Sequence, residues 1–103
     1  MIAINGAGGK LGQLICLEAQ NNNQDVLALY RSSDLALELT SKLRGVVDVS
    51  SVQGLRRLLQ HIPSNLPLLV GTTGDLPWEA LEQHAQTAPV AVVPNFSAGI
   101  PLL

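Results

Sequence analysis

The sequence has one cysteine and no long hydrophobic run. Cys16 has no second cysteine with which to form an internal disulfide, which fits a reducing cytoplasm. No apolar stretch approaches the length that crosses a membrane. Met1 leads directly into a strand-like run, without the basic region that opens a secretory signal. We therefore expect a cytoplasmic protein with no membrane partner.

Charge is also scarce, and neither sign dominates. The 103 residues include six Lys and Arg and eight Asp and Glu, for a formal net charge of −2. No basic face can be drawn from so few cations, so nucleic acid is not an expected partner. Apolar residues make up 47% of the chain, which argues against disorder. The length suits one small domain over 1–103 with a single core.

Residues that commonly carry catalysis or bind metals are few. The two histidines, His61 and His84, have no carboxylate or second histidine at ligand spacing, and we interpret both as surface or helix-end residues. There is no metal-ligand set and no Ser/His/Asp arrangement. The sequence therefore predicts neither a metal site nor a catalytic residue.

Short apolar runs alternate with stretches of helical periodicity along the chain. The predicted strands are 1–5, 26–30, 45–49, 67–70 and 90–93. The predicted helices are about 10–20, 35–43, the stretch from Ser50 or Ser51 to Ile62, and 77–86. Ser33 or Asp34 is the expected cap of the second helix, and Ser50 or Ser51 of the third.

This alternation predicts an α/β fold with a doubly wound, Rossmann-like parallel sheet of about five strands. We expect the order 3-2-1-4-5, right-handed crossovers and helices on both faces. Ligands of such sheets bind at the carboxyl ends of the strands. Four unusual stretches fall at those ends: 5–12, 30–34, 71–74 and 94–97. We expect all four to line one crevice.

The first of these stretches, "NGAGGKLG" at 5–12, is rich in glycine. Gly6, Gly9 and Gly12 have G-x-x-G-x-x-G spacing, a variant of the dinucleotide-binding fingerprint. Gly6 suits a tight turn out of the strand, Gly8 and Gly9 suit close approach of a pyrophosphate, and Gly12 suits close packing of the helix. The helix N-terminus offers N–H groups to the phosphates. A glycine-rich turn without a ligand is the alternative.

At the end of the second strand, NAD-specific proteins commonly place an acid that binds the ribose hydroxyls. The sequence here is Leu29-Tyr30-Arg31-Ser32-Ser33, which has no acid at that point. Arg31 suits a 2′-phosphate instead, although a solvated turn arginine is the plain alternative. At the end of the fourth strand, Gly71-Thr72-Thr73-Gly74 suits close approach of a nicotinamide or its ribose, with an ordinary loop as the alternative.

Taken together, these stretches resemble the N-terminal domain of the dihydrodipicolinate reductase (4-hydroxy-tetrahydrodipicolinate reductase) family. The resemblance rests on "IAINGAGGKLGQLI" at 2–15, "VVDVSS" at 46–51, "VGTTG" at 70–74 and "PNFSAGI" at 94–100. It implies an oxidoreductase that reduces a cyclic dipicolinate precursor with NADH or NADPH, in diaminopimelate and lysine biosynthesis. It also implies a cytoplasmic enzyme that is usually tetrameric.

The resemblance further implies which residues bind the cofactor. The pyrophosphate residues are Gly6, Ala7, Gly8, Gly9, Lys10 and Leu11. The adenosine ribose residues are Tyr30 and Arg31. The nicotinamide residues are Gly71, Thr72, Thr73, Val93, Pro94, Asn95 and Phe96. Tyr30 stands where many members have an acid, so Arg31 and Lys10 favour NADPH over NADH.

The family's second domain, with its His-His-x-x-Lys and Pro-Ser-Gly-Thr motifs, does not occur in these 103 residues. We therefore expect a cofactor-binding half that does not reduce substrate by itself. Three interpretations stay open: a domain of a reductase, a small reductase acting with a separate substrate-binding chain, and a non-catalytic nucleotide-binding or assembly module. A homo-oligomer is a further possible partner state.

Overall fold

Strands and helices alternate throughout the residues that the computed structural model describes, 1–40 and 42–93. The elements are β1 (Ile2–Asn5), α1 (Lys10–Asn21), β2 (Val26–Leu29), α2 (Leu35–Glu38), β3 (Gly45–Asp48), α3 (Val52–His61), β4 (Leu68–Val70), α4 (Trp78–Ala85) and β5 (Val90–Val92). The predicted alternation is confirmed. Helix α2 is shorter than predicted, because the backbone becomes extended at Leu39 (φ −83°, ψ 108°).

The five strands form one parallel sheet in the order β2-β1-β3-β4-β5. The α/β parallel-sheet fold is confirmed, but the predicted order 3-2-1-4-5 is wrong. Strand β3 pairs with β1 and β4, with Ile2 opposite Gly45 and Asn5 opposite Asp48, and β2 lies at the edge. The order is the second arrangement common among doubly wound sheets.

Buried polar side chains at the strand ends explain this order. Alternation and right-handed crossovers permit either arrangement. Asn5 and Asp48 end β1 and β3, Thr72 lies two residues after β4, and each is less than a tenth exposed. Buried polar groups need hydrogen-bond partners, and these three find one another only when β3 lies between β1 and β4. With β3 outside β2, two strand spacings, roughly 10 Å, would separate Asp48 from Asn5.

The hydrophobic core lies on one face of the sheet. Ala3, Val46, Leu68 and Val70 point to this face and pack with leucines of the α2, α3 and α4 segments, including Leu35, Leu55, Leu58 and Leu81. Helix α1 packs on the opposite face, against β1 and β2. The prediction of helices on both faces is therefore confirmed.

For α2 and α3 the structure selects one N-cap residue from each predicted pair. Asp34 caps α2, accepting a hydrogen bond from the Leu37 N–H. Ser51 caps α3, its Oγ accepting from the Gly54 N–H at 3.0 Å. Pro77 directly precedes α4. Ser50 does not cap the helix; its side chain donates to Asp48 at the end of β3.

His84 lies in the last turn of α4, as the expectation of a helix-end residue has it, but it is not at the surface. Its ring is buried, and its Nε2 lies 2.7 Å from the carbonyl oxygen of Leu66. It joins α4 to the segment that precedes β4, a structural role. His61, at the end of α3, is exposed as expected. No helix among the described residues has both the length and the apolar character to span a membrane.

Candidate functional site

The chain leaves β1 towards β2 on one side, while β3 lies on the other. In open α/β sheets such a reversal leaves a crevice at the carboxyl ends of the two strands. Here the crevice lies between the turn after Asn5 and the segment after Asp48. The glycine turn and the β3–α3 connection therefore face each other across it.

Gly6 makes the tight turn out of β1. Its φ is +90°, a value that side chains rarely permit, and the N–H groups of Gly6 and Ala7 both donate to the carbonyl of Leu29 at 3.1 Å. A Cβ on Gly6 would lie 2.7 Å from Ser50 Cα and from the Val49 carbonyl oxygen. Both the conformation and the contact therefore require glycine.

Gly12 lies in the first turn of α1 and packs against the same loop. A Cβ there would lie 2.0 Å from the carbonyl oxygen of Gly6 and 2.8 Å from Ala7 Cα. The predicted close packing is present, and its partner is the glycine turn. Helix α1 is thus held directly on the loop that precedes it.

Gly8 and Gly9 are exposed, and their surroundings are open. The atom nearest to a Cβ on Gly9 would be the Gly6 carbonyl oxygen at 3.6 Å, and a Cβ on Gly8 would touch only the Tyr30 ring, at 3.4 Å. Folding therefore does not require glycine at these two positions. A ligand that approaches the backbone is a reason for it.

Helix α1 begins at this loop without a side-chain cap. Gly9 is its N-cap residue, and its first turn contains no acidic residue. The first N–H groups of a helix lack intrahelical acceptors and carry partial positive charge. The Gln13 side chain donates to the Gly8 carbonyl at 3.0 Å and holds the loop on the helix. This end of α1 can therefore bind an anion through backbone N–H groups.

A cavity of about 700 Å³ opens at this place, within the size range of small-molecule sites. Five of the predicted site residues line it: Gly6, Gly8, Gly9, Tyr30 and Arg31. The other lining residues are Ser32, Val49, Ser50, Ser51 and Gln53. The stretches 5–12 and 30–34 therefore meet at one cavity, whereas the expectation was that all four stretches line it, and no residue of 71–74 is among its described lining residues.

Three further predicted residues lie beside this cavity. Ala7 and Lys10 line a separate groove between α1 and β2, which Cys16 also lines, and Leu11 is half-buried in the first turn of α1. Burial raises the pKa of the Cys16 thiol, consistent with a small apolar role for this residue.

The predicted nicotinamide residues follow β4 and β5. Gly71 and Thr72 are buried and Thr73 is exposed. The Gly71 N–H donates to the Asp48 carbonyl at 2.8 Å, and the half-buried Val93 donates to the Val70 carbonyl at 2.9 Å. None of these residues lines the cavity described above. Pro94, Asn95 and Phe96, and with them the stretch 94–97, lie outside the described residues.

Sequence reasoning missed a buried polar cluster directly beneath the crevice. Asp48 Oδ1 accepts from Asn5 Nδ2 and from Ser50 Oγ, both at 2.8 Å, and its Oδ2 accepts from Thr72 Oγ1 at 2.5 Å. Burial raises the pKa of Asp48, and the hydrogen bonds from Thr72, Ser50 and Asn5 oppose that rise. A polar residue at the end of each of three apolar strands was the available signal.

Sequence reasoning also missed Arg57, on α3. Its guanidinium reaches across to the loop after β2 and donates to the carbonyl oxygens of Arg31 (3.0 Å) and Ser33. The Tyr30 N–H donates to Ser33 Oγ at 2.9 Å within the same loop. Since α3 and β2 are distant in sequence, only the folded chain brings Arg57 to this edge.

Basic side chains lie around the site. Arg31 lines the cavity, Arg57 holds its loop, and Lys10 lies at the adjoining start of α1. No carboxylate is among the described residues that line the cavity. Tyr30, about half exposed, stands at the end of β2. The arrangement suits a ligand with several negative charges, such as a phosphorylated nucleotide.

Comparison with known proteins bears on what that ligand is. No protein-family model matches the chain. In an alignment 119 positions long, the chain is 30% identical to the 4-hydroxy-tetrahydrodipicolinate reductase of Campylobacter curvus (strain 525.92). The resemblance carried by the motifs is thereby confirmed. The match covers 99% of this chain and 46% of the relative, so the chain spans about half the length of the curated reductase that it matches. This extent is consistent with an N-terminal domain of such a reductase.

Proposed function

We propose that the chain is the NAD(P)H-binding domain of an oxidoreductase resembling dihydrodipicolinate reductase. One observation carries the proposal: the uncapped start of α1 and two open glycines, Gly8 and Gly9, border a cavity that Arg31 also lines. Backbone N–H groups and a guanidinium are the donors that phosphates require. The named relative, a reductase, supports a redox cofactor over other nucleotides.

In this proposal the pyrophosphate lies over Gly6 to Leu11. Gly8 and Gly9 admit it to the backbone, and the first N–H groups of α1 donate to its oxygens. Because Gly6 has no side chain, this loop packs directly against the β3–α3 connection. That close packing sets the width of the crevice. The adenosine ribose lies at Tyr30 and Arg31, over the end of β2.

The nicotinamide then lies towards the ends of β4 and β5. From β2 to β4 the sheet spans three strand spacings, about 14 Å, and the dinucleotide extends along this edge. Gly71, Thr72, Thr73 and Val93 are the described residues at that end, and by the family resemblance Pro94, Asn95 and Phe96 complete the proposed nicotinamide pocket. The bound cofactor supplies the hydride, and these residues hold its ring at the edge of the sheet.

The charges at the adenosine end favour NADPH over NADH. Arg31 follows β2 where an NAD-specific site commonly has an acid, and the residue before it is Tyr30. A 2′-phosphate adds negative charge, which guanidinium groups bind through charge-assisted hydrogen bonds. NADPH, which carries the 2′-phosphate, should therefore bind more tightly than NADH at this end.

The reaction and its pathway follow from the resemblance. We propose reduction of a cyclic dipicolinate precursor in diaminopimelate and lysine biosynthesis, in the cytoplasm. The proton donor and the substrate-binding groups come from a second domain, a partner chain or another copy in an oligomer. The described residues contribute cofactor binding and orientation.

Titration with NADPH and with NADH, followed by cofactor fluorescence, tests the proposed function. We expect saturable binding of both, with NADPH bound more tightly, and weaker binding as salt concentration rises because phosphate contacts are screened. ATP serves as the control for a general nucleotide site. An absence of saturable binding of either dinucleotide would remove the proposal.

A further inference from the structure

Arg57 places a second guanidinium at the adenosine end of the cavity. The residue is half-buried on α3, and its Nη1 donates to the Arg31 carbonyl at 3.0 Å while its Nη2 donates to the Ser33 carbonyl. Both acceptors belong to the loop that presents Arg31. Arg57 therefore fixes the loop and remains beside it.

A recess of about 210 Å³ adjoins the main cavity at this point. Arg31 and Arg57 both line it, together with Ser50, Ser51 and Gln53. These are two cations, two hydroxyls and an amide, and the recess has no carboxylate among the described residues that line it. The recess shares Gly6, Tyr30 and Arg31 with the main cavity, so one ligand can occupy both.

The donors of Arg57 are only partly used. A guanidinium has five N–H donors, and two of them bond to loop carbonyls. The other three have no acceptor among the described residues. Arg31 and Arg57 both line the recess, and an anion bound there interacts favourably with both cations. The recess thus has both the charge and the unused donors for a phosphate.

The pyrophosphate is assigned elsewhere, because the start of α1 and the open glycines lie on the Gly8–Gly9 side of the cavity. The recess lies on the other side, between the loop after β2 and the start of α3. The recess can therefore accommodate a second phosphate group of the same ligand. Among dinucleotide cofactors, the 2′-phosphate of NADPH is that group.

We propose that Arg57 is a specificity-determining residue that binds the 2′-phosphate of the adenosine ribose together with Arg31. The inference rests on the proposed function and extends it to a residue outside the sequence motifs. Arg57 acts twice: its bonds to the loop carbonyls position Arg31, and its remaining N–H groups contact the phosphate.

Paired titrations of three variants test this assignment. Arg57→Gln removes the charge, Arg57→Lys keeps the charge without the planar fork, and Arg56→Gln is the matched control. Arg56 is the exposed neighbour on the same helix and lines a different groove. Each variant is titrated with NADPH and with NADH, and thermal unfolding by circular dichroism checks that it folds.

We expect Arg57→Gln to weaken NADPH binding roughly tenfold or more, with a much smaller change for NADH. Arg57→Lys should fall between wild type and Arg57→Gln for NADPH. Arg56→Gln should match wild type for both. Adenosine 2′,5′-bisphosphate and adenosine 5′-monophosphate, which differ only in the 2′-phosphate, should repeat the pattern.

Two results overturn the inference while leaving the proposed function intact. Equal weakening of NADPH and NADH in Arg57→Gln would mean that Arg57 only holds the loop. Unchanged binding of both would mean that it does neither. If the wild-type chain binds neither dinucleotide, the proposed function fails and the inference with it. Should Arg57→Gln not fold, the NADPH-to-NADH ratio of Arg57→Lys decides.

Discussion

The side chain of Asn5 donates a hydrogen bond to the carboxylate of Asp48 over 2.8 Å, joining the end of β1 to the end of β3. Both side chains are buried, and Asp48 is fully so. The bond lies beneath the crevice where strand order reverses. It therefore links the choice of strand order to the shape of the candidate site.

Substitution of Asp48 tests the stabilising role of this cluster. Asp48→Ala removes the carboxylate that accepts from Asn5, Ser50 and Thr72, of which Asn5 and Thr72 are buried, and we expect a loss of roughly 3 kcal/mol in the free energy of unfolding. Asp48→Asn keeps one oxygen for Asn5 and Ser50 and offers its amide N–H to Thr72, so it should cost much less. Urea denaturation measures both. Equal costs would show that the cluster contributes no specific hydrogen bonds.

The raised pKa of Asp48 predicts a pH dependence of stability. In the unfolded chain an aspartate releases its proton at about pH 3.9, whereas the buried Asp48 retains it to a higher pH. At a pH between the unfolded pKa and the higher folded pKa, Asp48 is protonated in the folded chain and ionised in the unfolded chain. The stabilisation is complete below about pH 3.9 and is lost as the pH rises through the folded pKa.

The wild type should therefore lose stability relative to Asp48→Asn as the pH rises through that window, by at most about 1.4 kcal/mol per pH unit. Denaturation midpoints of both proteins across that range measure the difference, and the shared titration of other groups cancels. A difference that does not vary with pH, or that varies in the opposite direction, contradicts the assigned direction.

Two alanine substitutions separate the structural glycines from the ligand-facing ones. Gly12→Ala places a methyl group 2.0 Å from the Gly6 carbonyl, so we expect a loss of about 2 kcal/mol of stability. Gly9→Ala has open space, with its nearest contact at 3.6 Å, and should cost only about 1 kcal/mol or less, because alanine is a poorer N-cap residue than glycine. Thermal unfolding measures both, and a reversed ranking would show that the loop relaxes freely.

A larger side chain at Gly9 tests the phosphate-binding loop. Gly9→Val should leave the circular dichroism spectrum unchanged while weakening NADPH binding at least tenfold, because the branched side chain occupies the space that a pyrophosphate must enter. Leu37→Ala, at an exposed position of α2, is a control for general surface change. Undiminished affinity in Gly9→Val would remove the glycine loop from the binding site.

The 103-residue polypeptide should bind cofactor without reducing a dipicolinate precursor. Orientation of an acceptor against the nicotinamide is worth roughly 7–11 kcal/mol of barrier, and a proton donor must also be in reach. Thr72 and Thr73 are not acids near neutral pH, and the buried Asp48 already accepts three hydrogen bonds. A coupled assay of NADPH oxidation checks this, and turnover of about 1 s⁻¹ or more would contradict it.

Much of the fold was predictable because it depends on local patterns. Apolar runs, periodicity and caps such as Ser51 located each described strand and helix within a few residues, apart from the early end of α2. Strand order was not predictable in this way. It depends on Asn5, Asp48 and Thr72 satisfying one another, and that requirement appears only when three strand ends are considered together.

The candidate site shows the same difference between local patterns, which were predictable, and contacts between distant residues, which were not. The glycine turn and Arg31 were visible because the motif places them within a few residues of a strand end. Arg57 was not, because its bonds to Arg31 and Ser33 join positions 26 and 24 residues apart. The side chains of Ser50 and Ser51 looked like alternative caps, and the fold assigns the cap to Ser51 and gives Ser50 to the buried cluster.

The most direct test of the account is an NMR titration of the isotopically labelled chain with NADPH, following each backbone amide. We predict the largest shift changes at Gly8, Gly9 and Lys10, with a second group at Tyr30 to Ser33 and at Arg57. NADH should reproduce the first group and weaken the second. Changes confined to other parts of the chain, such as helix α4, or no changes at all, would contradict the claim that this glycine loop binds the dinucleotide.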